Sequence, residues 1–253
     1  MSPDAIARVA AAINDADRAG GHLDRLPDGC SPATVAEALA VQEYVVANSG
    51  QTVAGWKLAR MDDTVCWGTI YARDLLDAPA RVPAARFPVM GVEAEIAYRF
   101  RTDLPRGDEP LSEDRVAALL EPVPAFEIVD SRFSDYKGTP VLDRMCDRMS
   151  NGALVVGRWQ APVPEDFAEM VVRLDRDGKP LFEGAGSHVR KDPLIPALEF
   201  IADQHAHRDF RAGQFLTTGT FTGLIFGHAG ESYAADFGGR AEVTLEFEAK
   251  TGI

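Results

Sequence analysis

What is scarce in this sequence excludes several classes of protein before any motif is read. Its three cysteines, Cys30, Cys66 and Cys146, are odd in number and far apart. That argues against both a disulfide framework and a cysteine-rich zinc site. Basic side chains are the minority, 26 against 39 acidic ones, for a net charge of −13. A surface this acidic repels phosphate backbones and anionic lipid, so neither nucleic acid nor a membrane is an expected partner. An anionic substrate would need a local reversal of that field, which a bound cation provides. No apolar run reaches membrane-spanning length, and residues 1–20 carry Asp4, Arg8, Asp15, Asp17 and Arg18 where a signal peptide needs an apolar core. A soluble cytoplasmic protein is the simplest reading. The five histidines form no metal-ligand pattern, and His205 and His207 read as a solvated helix end. Internal repeats and low-complexity segments are also lacking.

What is present supports a folded chain with two kinds of region. A hydrophobic fraction of 46% over 253 residues can bury one large core, or a core domain with a smaller helical portion. Ser31-Pro32 reads as an N-cap with proline at the first helical position, and Gly50 as the close of that helix. Val35, Ala38, Leu39, Val45 and Val46 keep helical spacing, with Gln42 on the same stripe as a partly buried amide. After Val53 the pattern changes. Residues 92–100 alternate at period two, and further strands are expected at 124–130, 153–158, 169–175 and 241–248. Ser112 caps a short helix, and Asp192-Pro193 opens another to about residue 205. The outline is a mainly helical region, residues 1–80, followed by a β-rich region, 81–253.

Three carboxylates stand out. On a strand, Glu93 and Glu95 project from one face, and two like charges side by side repel unless a cation or a proton lies between them. An exposed strand face often carries such a pair. Glu127, however, lies in the apolar run Val123-Pro124-Ala125-Phe126-Glu127-Ile128-Val129, where an isolated carboxylate is costly unless paired, protonated or metal-bound. It could pair with Arg132 or Lys57. Three carboxylates with positions left open suit Mg²⁺. Lys57, within Gly55-Trp56-Lys57-Leu58-Ala59, either carries its ammonium to the surface or stays buried with a lowered pKa as a proton donor or acceptor. Thr217-Thr218-Gly219-Thr220-Phe221-Thr222-Gly223 either offers backbone N–H groups to a carboxylate or is a tight connection between strands.

On Gly55-Trp56-Lys57, Val92 to Ala97 and Pro124 to Arg132 the chain resembles the 2-keto-4-pentenoate hydratase and 4-oxalocrotonate decarboxylase group of the fumarylacetoacetate hydrolase superfamily. Weaker anchors are Ala40-Val41-Gln42, Asp147 with Ser150 to Gly152, and Thr218 to Gly223. The resemblance implies an α+β fold, a mixed β-roll with an N-terminal helical region. It implies a homo-oligomer of aromatic catabolism that can also associate with a homologous lyase. Glu93, Glu95 and Glu127 would be the metal ligands, with Mg²⁺ as the ion and Mn²⁺ or Ca²⁺ as alternatives. Lys57 would be catalytic, and Ser150, Thr218, Gly219 and Thr220 would bind a small 2-oxo acid. The implied activity is a lyase working through a metal-stabilised enolate, with hydration ahead of decarboxylation. Acylpyruvate C–C hydrolysis and a degenerate scaffold are the other readings. Two positions depart from the family pattern. Cys66-Trp67-Gly68 stands where an acidic residue precedes an aromatic and glycine, and Arg148 replaces an asparagine. Arg148 either grips a second substrate carboxylate or turns outward to solvent, and Cys66 is either a proton donor or a small buried thiol. The simpler accounts are the buried thiol and the outward-turned arginine.

Overall fold

The computed structural model describes residues 1–164 and 166–249. Helix α1 (Pro3–Ala19) begins where Ser2 accepts a hydrogen bond from the Ala5 amide, with proline at its first position, and ends on Gly20 in the left-handed region. Helix α2 (Val35–Ala47) is capped by Thr34 rather than Ser31. The Ser31 hydroxyl donates instead to Asp143 Oδ2, 3.3 Å away. Strands β1 (Val53–Met61), β2 (Thr64–Tyr71), β3 (Leu75–Asp77), β4 (Ala80–Pro83) and β5 (Gly91–Phe100) follow. Helix α3 (Glu113–Leu119) then leads into β6 (Leu120–Val129), and α4 (Val141–Cys146) precedes β7 (Asn151–Val156). Strands β8 (Val171–Arg176) and β9 (Lys179–Ala185) come next, then α5 (Leu194–Gln204). The chain closes with β10 (Phe215–Thr220), β11 (Ile225–Phe226), β12 (Ser232–Phe237) and β13 (Glu242–Glu248).

The strands form two mixed sheets, and the class is the α+β one expected. The larger sheet has eight strands in the order β2-β1-β10-β5-β6-β7-β3, with β11 paired beside β5. The smaller runs β4-β13-β12-β8-β9. The division expected near residue 80 falls at the start of β4, and β1 to β3 before it are hydrogen-bonded into the same sheet as β5 to β7. Apolar side chains of both sheets and of α1, α2 and α5 merge in one buried cluster. Gln42 lies within it, fully buried. Its amide donates to the Trp67 carbonyl at 2.7 Å and accepts from the Thr69 amide at 2.8 Å, so its partners are on β2 rather than local. That fastens α2 to the sheet edge, since a buried amide left unpaired would cost about 1–3 kcal/mol.

Candidate metal centre and its cavity

Strand order decides which side chains meet. Because β1, β10, β5 and β6 are neighbours, Lys57 lies beside Thr217, Thr220 beside Glu95, and Glu93 directly across from Glu127. Strands β1 and β10 approach so closely that a Cβ on Gly55 would stand 2.0 Å from the Phe215 carbonyl oxygen. Glycine before Trp56-Lys57 is therefore a condition of the parallel pairing that brings Lys57 beside β10. On β10 the register shifts between Thr217 and Thr220. There Gly219 takes φ +107°, and its amide turns toward Glu95, 3.3 Å from Oε2. The Thr218 and Thr220 hydroxyls donate to the carbonyls of Ile96 (2.9 Å) and Ala94 (3.4 Å) on β5. The threonine-rich turn is thus a bulge tied to the strand that carries the two glutamates.

One oxygen from each of Glu93, Glu95 and Glu127 lies within 4.8 Å of the others. Glu95 and Glu127 are 2% and 1% exposed, so water does little to screen their repulsion. Lys57 places Nζ 2.5 Å from Glu127 Oε1; Arg132 is not Glu127's partner and pairs with Asp147. Burial, with Glu127 opposite, pushes the Glu93 carboxyl up to about 7, and burial with the same neighbours holds Glu95 well above the carboxylate range. Burial also opposes the ammonium of Lys57. The surrounding Glu127, Glu93 and Glu95 outweigh it, so its pKa is raised, opposite to the lowering expected for a buried lysine.

Three carboxylates against one ammonium leave the cluster short of positive charge. The donor set is all oxygen, as a hard divalent cation prefers. A further buried atom points the same way. Asn151, fully buried on β7, brings Nδ2 to 3.4 Å from Glu127 Oε1 while its Oδ1 has no partner. A buried amide oxygen left unpaired beside a carboxylate is the environment of a hydrated cation more than of a closed core. The residues present therefore fit a divalent metal.

Lys57, the three glutamates, Thr218, Gly219 and Thr220 line one cavity of about 380 Å³, together with Met149, Arg60, Arg190 and Glu199. Arg190 forks onto Glu199 at 3.0 and 2.8 Å. Ser150 is not among these residues. It lines an adjoining cavity of about 190 Å³ with Cys66. Cys66 is a buried thiol whose pKa burial raises. Arg148 does not turn outward. It is 3% exposed, 3.1 Å from Asp74 Oδ2, and stacks over Tyr71 at 4.2 Å. His205 is likewise buried rather than solvated, its ring 3.0 Å from the Pro105 carbonyl oxygen. Sequence reading gave no role to His188 or Asn151. His188 is buried, with Nε2 3.0 Å from the Gly219 carbonyl oxygen and Nδ1 accepting from the Arg190 amide. It ties the segment bearing Arg190 to the Gly219 bulge. A lone histidine between strand and helix has no spacing that could have signalled this.

No protein-family model matches the chain. It is 30% identical over 158 residues to a 2-hydroxyhexa-2,4-dienoate hydratase of Comamonas testosteroni, a match covering 61% of this chain and 59% of that enzyme's length. It is 27% identical over 263 aligned positions to a 2-keto-4-pentenoate hydratase of Burkholderia vietnamiensis, covering 98% of this chain and 99% of the relative. Among solved structures, a 4-oxalocrotonate decarboxylase from Pseudomonas putida G7, complexed with magnesium and adipate, shares the fold with a TM-score of 0.80 at 19% identity over 98% of both chains. No helix among the described residues is long and apolar enough to cross a membrane.

Proposed function

Because the chain belongs to the 2-keto-4-pentenoate hydratase and 4-oxalocrotonate decarboxylase group of the fumarylacetoacetate hydrolase superfamily, we propose that it is a divalent-metal-dependent lyase of small unsaturated 2-oxo acids, acting by hydration. The observation that carries the reading is a single cavity lined by three clustered carboxylates and Lys57. In it Glu93, Glu95 and Glu127 hold the cation, Mg²⁺ in the first instance. When bound, the cation supplies Lewis-acid charge that favours the enolate form of a 2-oxo acid. Lys57, held against Glu127, moves a proton at Nζ during interconversion of dienol and enone, or balances the negative charge that develops. Thr218, Gly219 and Thr220 form the wall along which the acid is oriented, and the buried faces of β5 and β10 exclude bulk water from the reacting carbons. Water then adds to the distal carbon of the enone. Assembly as a homo-oligomer belongs to the same proposal.

The test is incubation of purified protein and Mg²⁺ with 2-hydroxypenta-2,4-dienoate and, separately, with 4-oxalocrotonate. Hydration predicts loss of dienol absorbance with formation of a hydroxylated 2-oxo acid. Carbon dioxide released from 4-oxalocrotonate would replace hydration by decarboxylation, and pyruvate formed from acylpyruvates would replace it by hydrolysis. Inertness toward all of them beyond the metal-only control, with tight binding to a homologous lyase, would make the chain a scaffold instead.

A further inference from the structure

A smaller side cavity, of about 190 Å³, adjoins that of the three glutamates, and Ala59, Arg60 and Met149 line both. Met61, Cys66, Val141, Met145 and Met149 give the side cavity apolar, polarisable walls, and Ser150 is a polar group in it. Thioethers adapt to a flat unsaturated chain and make favourable contacts with π systems. Cys66 therefore stands where a hydrocarbon stem would pass, and a carboxylate at that position would be ill placed beside one.

Arg144 of α4 lines the side cavity as well. The other arginines near the two cavities are already matched. Arg132 has Asp147, Arg148 has Asp74, and Arg60 and Arg190 share Glu199. Arg144 is in no such pair among the described residues. Its guanidinium stacks over Tyr136, 4.7 Å from the ring centroid, and its Nε is buried with no hydrogen-bond partner. A half-buried guanidinium held flat on a ring, with a buried donor unpaired, is built to receive a planar anion.

We propose that the side cavity receives the distal end of the substrate and that Arg144 binds a second carboxylate there, making this chain selective for dicarboxylic over monocarboxylic unsaturated 2-oxo acids. The proposal rests on the reading that the acid's other end lies at Glu93, Glu95 and Glu127. It explains why Ser150 and the Thr218–Thr220 wall fall in separate cavities, since one extended molecule would touch both. It also places a fixed positive charge where a dianion must be held by a protein of net charge −13.

The experiment is titration calorimetry of the Mg²⁺-loaded protein with 2-oxohexanoate and 2-oxoadipate, which share the 2-oxo acid end and differ in the distal carboxylate. Oxalate serves as a ligand for the metal end alone. We expect 2-oxoadipate to bind about tenfold more tightly than 2-oxohexanoate. Arg144→Gln should erase that advantage while leaving 2-oxohexanoate and oxalate unchanged, and Arg144→Lys should retain part of it. Equal affinities in the unaltered protein would overturn the proposal without relying on any variant. An advantage that survives in Arg144→Gln, or that is lost instead in Arg190→Gln, would also overturn it. If oxalate itself fails to bind, the reading of the metal site fails and takes this inference with it. If oxalate binds and the two longer acids do not differ, only the inference fails.

Discussion

The chain holds two clusters of charge around buried carboxylates, and they are solved in opposite ways. On the large sheet, Glu93, Glu95 and Glu127 converge on a single ammonium, that of Lys57. Beside α1 and α4, around a cavity of about 430 Å³, Arg132 is matched by Asp147 and Arg148 by Asp74, while Arg73 reaches Asp17 and Arg86 reaches Asp74. The second cluster is closed. Each guanidinium has a carboxylate, and Arg132 also donates to the carbonyls of Asn151 (2.9 Å) and Asp147 (3.0 Å). The first is open, with two carboxyls pushed upward and a buried amide oxygen unpaired. Both cost desolvation. Only the open one leaves a charge deficit that an added ion can fill, and that deficit separates a site from a fold-stabilising network.

The largest effect should come from the open cluster. Glu127→Gln removes the carboxylate that stands opposite Glu93 and touches Lys57. We expect it to lose stoichiometric Mg²⁺ binding, a drop of more than about a hundredfold in affinity, while the far-ultraviolet circular dichroism stays that of the unaltered protein. Retained stoichiometric metal would break the comparison, because Glu127 would then belong to a closed ion pair with Lys57.

A change in the closed cluster should act on stability instead. Arg148→Met leaves Asp74 without one of its partners in an environment where both residues are buried. A buried charge left without any partner costs about 3–5 kcal/mol, but Asp74 keeps Arg86. Urea unfolding should therefore show a smaller loss, about 1–3 kcal/mol, and Mg²⁺ affinity of the folded fraction should not change. A variant that is stable but binds metal poorly would show the two clusters to be one.

These clusters were unequally legible in the sequence. Period-two alternation exposed Glu93 and Glu95 because a strand repeats every two residues, and Glu127 stood out because its run is otherwise apolar. What the sequence could not show is register. That Glu93 faces Glu127 and Lys57 faces Thr217 follows from strand pairing across tens of residues. Arg148 was misread for the same reason. Its partners, Asp74 and Asp17, are distant in the chain, and nothing local to Arg148 points to them. Ser31 lost its capping role to a contact with Asp143, which is equally non-local. Local chemistry was readable wherever the partner lay within a turn or a strand, as at Ser112 capping α3. It failed at Arg148 and Ser31, where tertiary contact chose the partner.

One carboxylate of the closed cluster is not balanced, and it sharpens the contrast. Asp130 lines the cavity beside Arg132 and accepts from the Val89 amide at 2.9 Å, yet burial raises its pKa from 3.8 to about 6. Neither Arg132, already held by Asp147, nor hydrogen bonding to the Val89 and Ser131 amides compensates its burial. The native chain therefore binds a proton here that the unfolded chain has released between about pH 4 and 6. Stability from this group is present below about pH 4, falls as pH rises through that window, and stays lost above about pH 6. The difference amounts to about 3 kcal/mol if the whole shift is counted. Asp130→Asn keeps an oxygen for the Val89 amide and cannot ionise. Measured by urea unfolding in chelator at pH 4.5 and 7, the variant should gain on the unaltered protein as pH rises, by up to about 2 kcal/mol, since the rest of the difference is already lost below pH 4.5. A gap that stays constant with pH would mean that Asp130 is as well compensated as Asp147. The closed cluster would then have no weak carboxylate.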